Sequence, residues 1–241
     1  MPSLRFADPQ TVTQYPLEIS STADWLLEAA EPDDEAGTVT TCWSFSVDLG
    51  RLPKGEMIAP SLSLLDAPDH RYLFTLEADG ETFELAPIPP SPEDKARRNV
   101  EQNRKARVRT AIDCFHIEKA VRRAHLKGTL TTSTPPSRYL LTISIRPTEI
   151  PVSVPATLPT TVASAPIAGI SQMLQNPRIA ARVCSPVATA MVLSTHQGTQ
   201  QPLATEHIIR SCHDPVTGMY GLWPLAIRTA ANAGFIGAVE L

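Results

Sequence analysis

Pro147, Pro151, Pro155 and Pro159 stand four apart in a stretch of Thr, Ser, Val and Ala with no charged residue between Glu149 and Arg178. Each proline removes an amide donor and fixes φ, so a run of this density cannot continue a helix or sit inside a sheet. The spacing predicts an extended, semi-rigid connector over 147–169. Folded structure must then lie on either side of it, in 1–146 and 170–241. Across the chain, proline takes 23 of 241 positions against 11 glycines, about twice its usual ~5% share. That balance favours many short, bounded strands over long helices.

Residues 1–146 read mainly as β. Thr38 to Val47 is rich in β-branched and aromatic residues, and Ile58, Leu62 and Leu64 alternate with Ser61 and Ser63 in the period of a half-buried strand. Arg71 to Ala78 and Glu81 to Pro87 flank Asp79-Gly80, a two-residue hairpin signal in which glycine supplies the positive φ. Ala106 to Phe115, Ala120 to Ser133 and Arg138 to Arg146 give three further strands, the last with Leu141, Ile143 and Ile145 on one face. Six or more strands separated by turn signals predict an antiparallel sandwich, with Trp25 and Trp43 in its core. Ser21 to Ala30 has a capping residue and helical spacing and predicts one short helix.

On the far side of the connector, Cys184-Ser185-Pro186 precedes the small, apolar run Val187, Ala188, Ala190, Met191, Val192 and Leu193. Proline is tolerated in a helix's first turn, so Cys184 is placed at a helix N-terminus. The positive end of the helix dipole favours a thiolate, the form of cysteine that is nucleophilic. Gln172, twelve residues upstream, carries an amide donor suited to a developing oxyanion. On pattern alone a free cysteine opening a small-residue helix is more often packing than chemistry. Further on, Pro202 to Cys212 reads as a helix, Pro215 to Gly221 as a loop, Leu222 to Ala233 as a helix stopped by Gly234, and Phe235 to Leu241 as a strand.

The order Ser171-Gln172-Met173, Cys184-Ser185-Pro186, Thr189 and Met191-Val192-Leu193 resembles the bacterial peptidase-C-thirty-nine-like family. These are papain-like cysteine peptidases, relatives of the double-glycine peptidases that trim bacteriocin leaders. His213-Asp214-Pro215, Gly221, Trp223-Pro224, Ala226, Ala230-Ala231 and Gly234 look like the family's next block, so the resemblance runs from Ile170 to Leu241. It implies that Cys184 is the nucleophile and Gln172 the oxyanion donor, acting on a peptide or protein substrate without a cofactor. The family's base histidine and its orienting acid have no counterpart in the 241 residues, which implies a truncated, weakly active or inactive peptidase. His207 and His213 do not occupy the family's base position.

Other classes fit less well. A net charge of −4 and pI of 5.9 argue against a nucleic-acid partner. The seven basic residues between Glu93 and Arg109 include no interleaved aromatic and read as a solvated hairpin or loop. Cys42, Cys114, Cys184 and Cys212 have no metal-knuckle or disulfide spacing, and His116 and His125 no ligand spacing, so no metal is expected. Neither a secretory signal nor a membrane span is visible, which predicts a cytoplasmic protein. The fold class expected is therefore α+β: a sandwich-like domain over 1–146, a linker over 147–169, and the helical, nucleophile half of a papain-like fold over 170–241. The competing class is a non-catalytic binding or interaction protein carrying a degenerate peptidase remnant.

Overall fold

The computed structural model describes residues 13–17, 26–32, 39–65, 69–94, 106–133, 138–148, 169–196 and 204–237. The strands are Thr13–Leu17 (β1), Leu26–Pro32 (β2), Val39–Leu52 (β3), Glu56–Leu64 (β4), Arg71–Ala78 (β5), Glu81–Glu84 (β6), Val108–Thr110 (β7), Phe115–Ile117 (β8), Val121–Thr132 (β9) and Tyr139–Pro147 (β10). Three α-helices follow among the described residues: Cys184–His196 (α1), Thr205–Ser211 (α2) and Trp223–Asn232 (α3). The strands form two antiparallel sheets, in the orders β1-β10-β4-β8-β7 and β2-β3-β9-β5-β6. None of the described helices is long and apolar enough to cross a membrane.

The sheets share one core because their alternating apolar positions face each other. Ile58, Leu62 and Leu64 of β4 and Leu141, Ile143 and Ile145 of β10 meet Tyr72, Phe74 and Leu76 of β5 and Ala124, Leu126 and Leu130 of β9. Gly128 pairs with Phe45 across β3 and β9, and a Cβ there would lie 1.9 Å from the Phe45 ring. The missing side chain is what lets the ring lie down on the strand. Phe45 in turn meets Phe74 edge-on at 6.2 Å. Trp43 packs against this core while staying partly exposed.

The Asp79-Gly80 hairpin forms as expected, with φ of 49° and 87° at its two central residues. The Asp79 carboxylate accepts the backbone N–H groups of Arg122 and Arg123, both at 3.0 Å, which ties the turn to β9. Arg107 reaches the same carboxylate at 3.3 Å, and Arg109 pairs with Glu118 at 2.9 Å. These two members of the basic stretch are thus partnered within the fold; residues 95–105 lie outside the described residues.

Three expectations give way. Leu26 to Ala30 is strand, not helix, because β3 offers it an antiparallel ladder from Val39 to Ser44 that outweighs local helix propensity. Ala106 to Phe115 is not one strand: the chain turns at Ala111 to Cys114, whose N–H···O bond of 2.7 Å closes a hairpin between β7 and β8. Phe235 to Gly237 is not strand either, since the Phe235 N–H is spent on the carbonyl of Ala230. Trp25, Ser21 to Asp24, the proline-spaced run over 149–168 and residues 238–241 lie outside the described residues.

The helical segment is built onto the sandwich. β8 pairs with β4 only at Met57 and Ile58, which leaves the Ala59 to Leu64 edge without a strand on that side among the described residues. α3 packs against β4 instead, and Leu225 of α3 and Leu222 just before it enter the sandwich core. Covering a sheet edge with a helix removes a site for pairing with other chains. It also explains why Ser61 and Ser63, on the expected solvent face, are buried: Ser61 shares a 2.6 Å hydrogen bond with Thr142, and Ser63 accepts the Gly237 N–H at 3.3 Å.

Candidate functional site

The chain enters α1 through two short 3-10 turns, Gln172–Leu174 and Ala180–Arg182. Ser171 caps the first through its hydroxyl, which accepts the Met173 N–H at 3.3 Å. The Gln172 side-chain amide then donates to the carbonyl of Ala180 at 3.1 Å and holds the two turns together. Val183 follows, fully buried, and α1 begins at Cys184 with Pro186 in its first turn. Cys184 is exposed and reduced. Pro186 has no N–H and the Val187 N–H is spent on the Val183 carbonyl at 3.1 Å, so the backbone donors left beside the sulfur are those of Cys184 and Ser185.

The structure brings Gln172 to the turn leading into Cys184. An amide carries two N–H donors, and the bond to Ala180 occupies one. No histidine among the described residues hydrogen-bonds the Cys184 sulfur. His207 is exposed on α2, and His213, in the following loop, rests its ring against Tyr220 with centroids 4.7 Å apart.

Several of the other residues in the family-like block have packing or capping duties. Asp214 is fully buried, and its carboxylate accepts the Val216 N–H at 2.9 Å and the Thr217 hydroxyl at 2.6 Å, closing the loop on itself. Trp223-Pro224 opens α3, where proline's missing N–H costs nothing. Gly234, at φ 88°, ends it: the Gly234 N–H bonds Ala231 and the Phe235 N–H bonds Ala230, the paired bonds of a left-handed helix stop. Arg182 donates to the Gly218 carbonyl and lies over the Tyr220 ring at 5.8 Å, joining the turn before Cys184 to this loop.

The two buried thiols, Cys114 and Cys212, are poor nucleophiles. Burial, the Asp113 charge and a hydrogen bond to that carboxylate push Cys114 up to about 12, against a smaller pull from Arg109. Burial also raises Cys212, partly offset by the Thr229 hydroxyl. Cys114 nonetheless has an imidazole at hand, with His116 Nε2 3.4 Å from its sulfur. Sequence reasoning passed over this pair, although Cys-Phe-His at 114–116 carries the period of two that puts both side chains on one strand face. With burial and Arg109 holding His116 below its ordinary value and the thiol so high, the pair is neutral, not a thiolate–imidazolium pair. Among the described residues, no three His, Cys, Asp or Glu side chains converge in a way that could hold a metal.

Beside the 3-10 turns lies a cleft of about 620 Å³ between residues 174–179 and α2, with Leu174, Ile179, Ile209, Arg210, His213 and Tyr220 on its walls. Cys184 and Gln172 do not line it. No family model matches the chain, and no curated protein matches it.

Proposed function

We propose that residues 170–241 form the nucleophile half of a papain-like cysteine peptidase, with Cys184 as nucleophile and Gln172 as oxyanion donor toward a peptide or protein substrate. The observation that carries this reading is local. Cys184 is the first residue of α1 and exposed, and Gln172 is anchored by its side chain to the turn leading into that helix.

In this chemistry the Cys184 sulfur adds to the carbonyl carbon, and the oxyanion takes hydrogen bonds from the Cys184 N–H and the free donor of Gln172. Collapse breaks the carbon–nitrogen bond and leaves a thioester on sulfur. The departing amine needs a proton, and general acid help of this kind is worth roughly 10²- to 10⁴-fold. With no imidazole bonded to the sulfur, amide turnover is slow, whereas an activated ester, whose phenolate leaves unprotonated, bypasses the step.

The test follows from that distinction. The full chain is mixed with the p-nitrophenyl ester of an N-acetylated dipeptide, and its intact mass is followed. One acyl group per chain, mapped to Cys184 and lost in Cys184→Ala, is expected; acylation spread over several residues, or unchanged in that variant, overturns the reading.

A second reading has its own support. Leu222 and Leu225 complete the sandwich core and α3 covers the open β4 edge, which is what a non-catalytic interaction protein with a peptidase-like remnant requires. Site-selective acylation separates the two.

A further inference from the structure

The cleft beside the 3-10 turns falls in the size range of ligand sites, about 300–1,000 Å³. Its apolar wall is Leu174, Ile179 and Ile209. Leu174 is 85% exposed and its neighbour Met173 67%, so two large apolar side chains meet solvent at the rim. Leu174, on the lining, thus offers a ligand apolar contact at the cleft mouth.

The polar wall selects the charge of the ligand. Arg210, His213 and Asn176 carry hydrogen-bond donors, Gln175 gives its side-chain amide to the Ser171 carbonyl at 3.2 Å, and Glu206 is the one acid on the lining. Its carboxylate is paired with Arg210 one turn along the helix. Exposed pairs of this type are weak, so Arg210 can exchange this partner for a ligand's carboxylate at little cost. Nearby, Arg178 is exposed on the turns, Arg182 is spent on the Gly218 carbonyl and the Tyr220 ring, and Asp214 is buried and occupied within its own loop. A ligand that fills the cleft therefore meets apolar surface beside one guanidinium, that of Arg210, whose resident partner Glu206 is exposed and exchangeable.

We infer that the cleft binds a peptide C-terminus, with an apolar last side chain on Leu174, Ile179 and Ile209 and a free α-carboxylate at Arg210 and His213. Arginine recognises a carboxylate through paired N–H donors, and capture of a terminal carboxylate is an established mode of peptide recognition. The inference stands apart from the Cys184 chemistry, because it concerns binding at residues that take no part in acyl transfer.

The test uses the full chain carrying Cys184→Ala, so that turnover is silent. Fluorescein-labelled Gly-Gly-Leu with a free C-terminus is titrated by fluorescence anisotropy beside the same peptide as its C-terminal amide. The acid is expected to bind about 10- to 100-fold more tightly, the worth of hydrogen bonds to a charged group. Arg210→Gln, on an exposed helix surface, should remove that preference, Leu174→Glu should weaken both peptides, and Glu206→Gln should strengthen the acid. Equal binding of acid and amide, no saturation up to about 1 mM, the range where recognition ceases to be specific, or an acid preference that survives Arg210→Gln would overturn the inference.

Discussion

Alkylation of the four cysteines by iodoacetamide tests the placement of Cys184 with a calculable contrast. A thiol near 8.5 is about 3% ionised at pH 7, and one near 12 about 0.001%, a ratio of roughly 3 × 10³ in thiolate. Cys114 is the group pushed up to about 12. A more basic thiolate is intrinsically the better nucleophile, with a Brønsted slope of about 0.4–0.5, which returns some 40-fold and leaves roughly 10² from ionisation alone. Steric exclusion multiplies this, since Cys114 is 4% exposed and Cys212 fully buried, whereas Cys184 is exposed. The expected order is Cys184 first, half-buried Cys42 next, and the two buried thiols last, Cys114 by roughly 10²-fold on the ionisation argument and Cys212 by burial. Peptide mapping of a time course under native conditions reads it directly. Labelling of Cys114 or Cys212 within tenfold of Cys184 would refute the reasoning, because burial and the α1 start would then not control reactivity.

Three further outcomes probe the scaffold. Gly128→Ala puts a Cβ 1.9 Å from the Phe45 ring, an overpacked site expected to cost about 1–3 kcal/mol in urea unfolding; no loss would mean that the ring moves freely. Leu225→Ala empties a site shared by α3 and the sandwich and should cost about 2–5 kcal/mol, shifting the helical and β signals together, with separate transitions the contrary result. Burial pushes the Asp79 carboxyl up, but the Arg123 and Arg122 N–H groups and the Arg107 and Arg122 charges outweigh it and hold the group below its ordinary value. Its contribution is therefore complete above the unfolded carboxyl value of about 3.9 and fades as pH falls through the lower folded value. Asp79→Asn should flatten the loss of stability below pH 4, and an unchanged acid limb would count against the hairpin clamp.

Legibility in the sequence tracked how local the determining interaction was. The Asp79-Gly80 turn needed only its own two residues, β3 declared itself through its β-branched and aromatic content, and β10 through Leu141, Ile143 and Ile145 on one face. Cys-Ser-Pro likewise announced the start of α1, because proline's place in a first turn is a local rule. The hairpin between β7 and β8 was hidden: Ala111-Ile112-Asp113-Cys114 holds no glycine, proline or asparagine to mark a turn. β2 was hidden for the opposite reason, since Leu26 to Ala30 favours helix locally and only the neighbouring β3 edge makes it strand. Ser61 and Ser63 looked like solvent positions because the chain that covers Ser63 arrives 174 residues later. Of the candidate site, residue types and order were readable, but the Gln172 bond to Ala180 depends on the path of two 3-10 turns that no periodicity encodes.

The most direct test of Cys184 and Gln172 as a working pair compares two reactions of the same sulfur in Gln172→Ala. Acylation by the p-nitrophenyl ester passes through an oxyanion, whereas alkylation by iodoacetamide does not, so the second reaction controls for any disturbance of the turn. Loss of an oxyanion donor is worth about 10²- to 10³-fold. Acylation of Cys184 is expected to slow by about that factor while its alkylation changes less than about threefold. Acylation and alkylation falling together, or neither changing, would contradict it and leave Gln172 as a structural tie between the two turns.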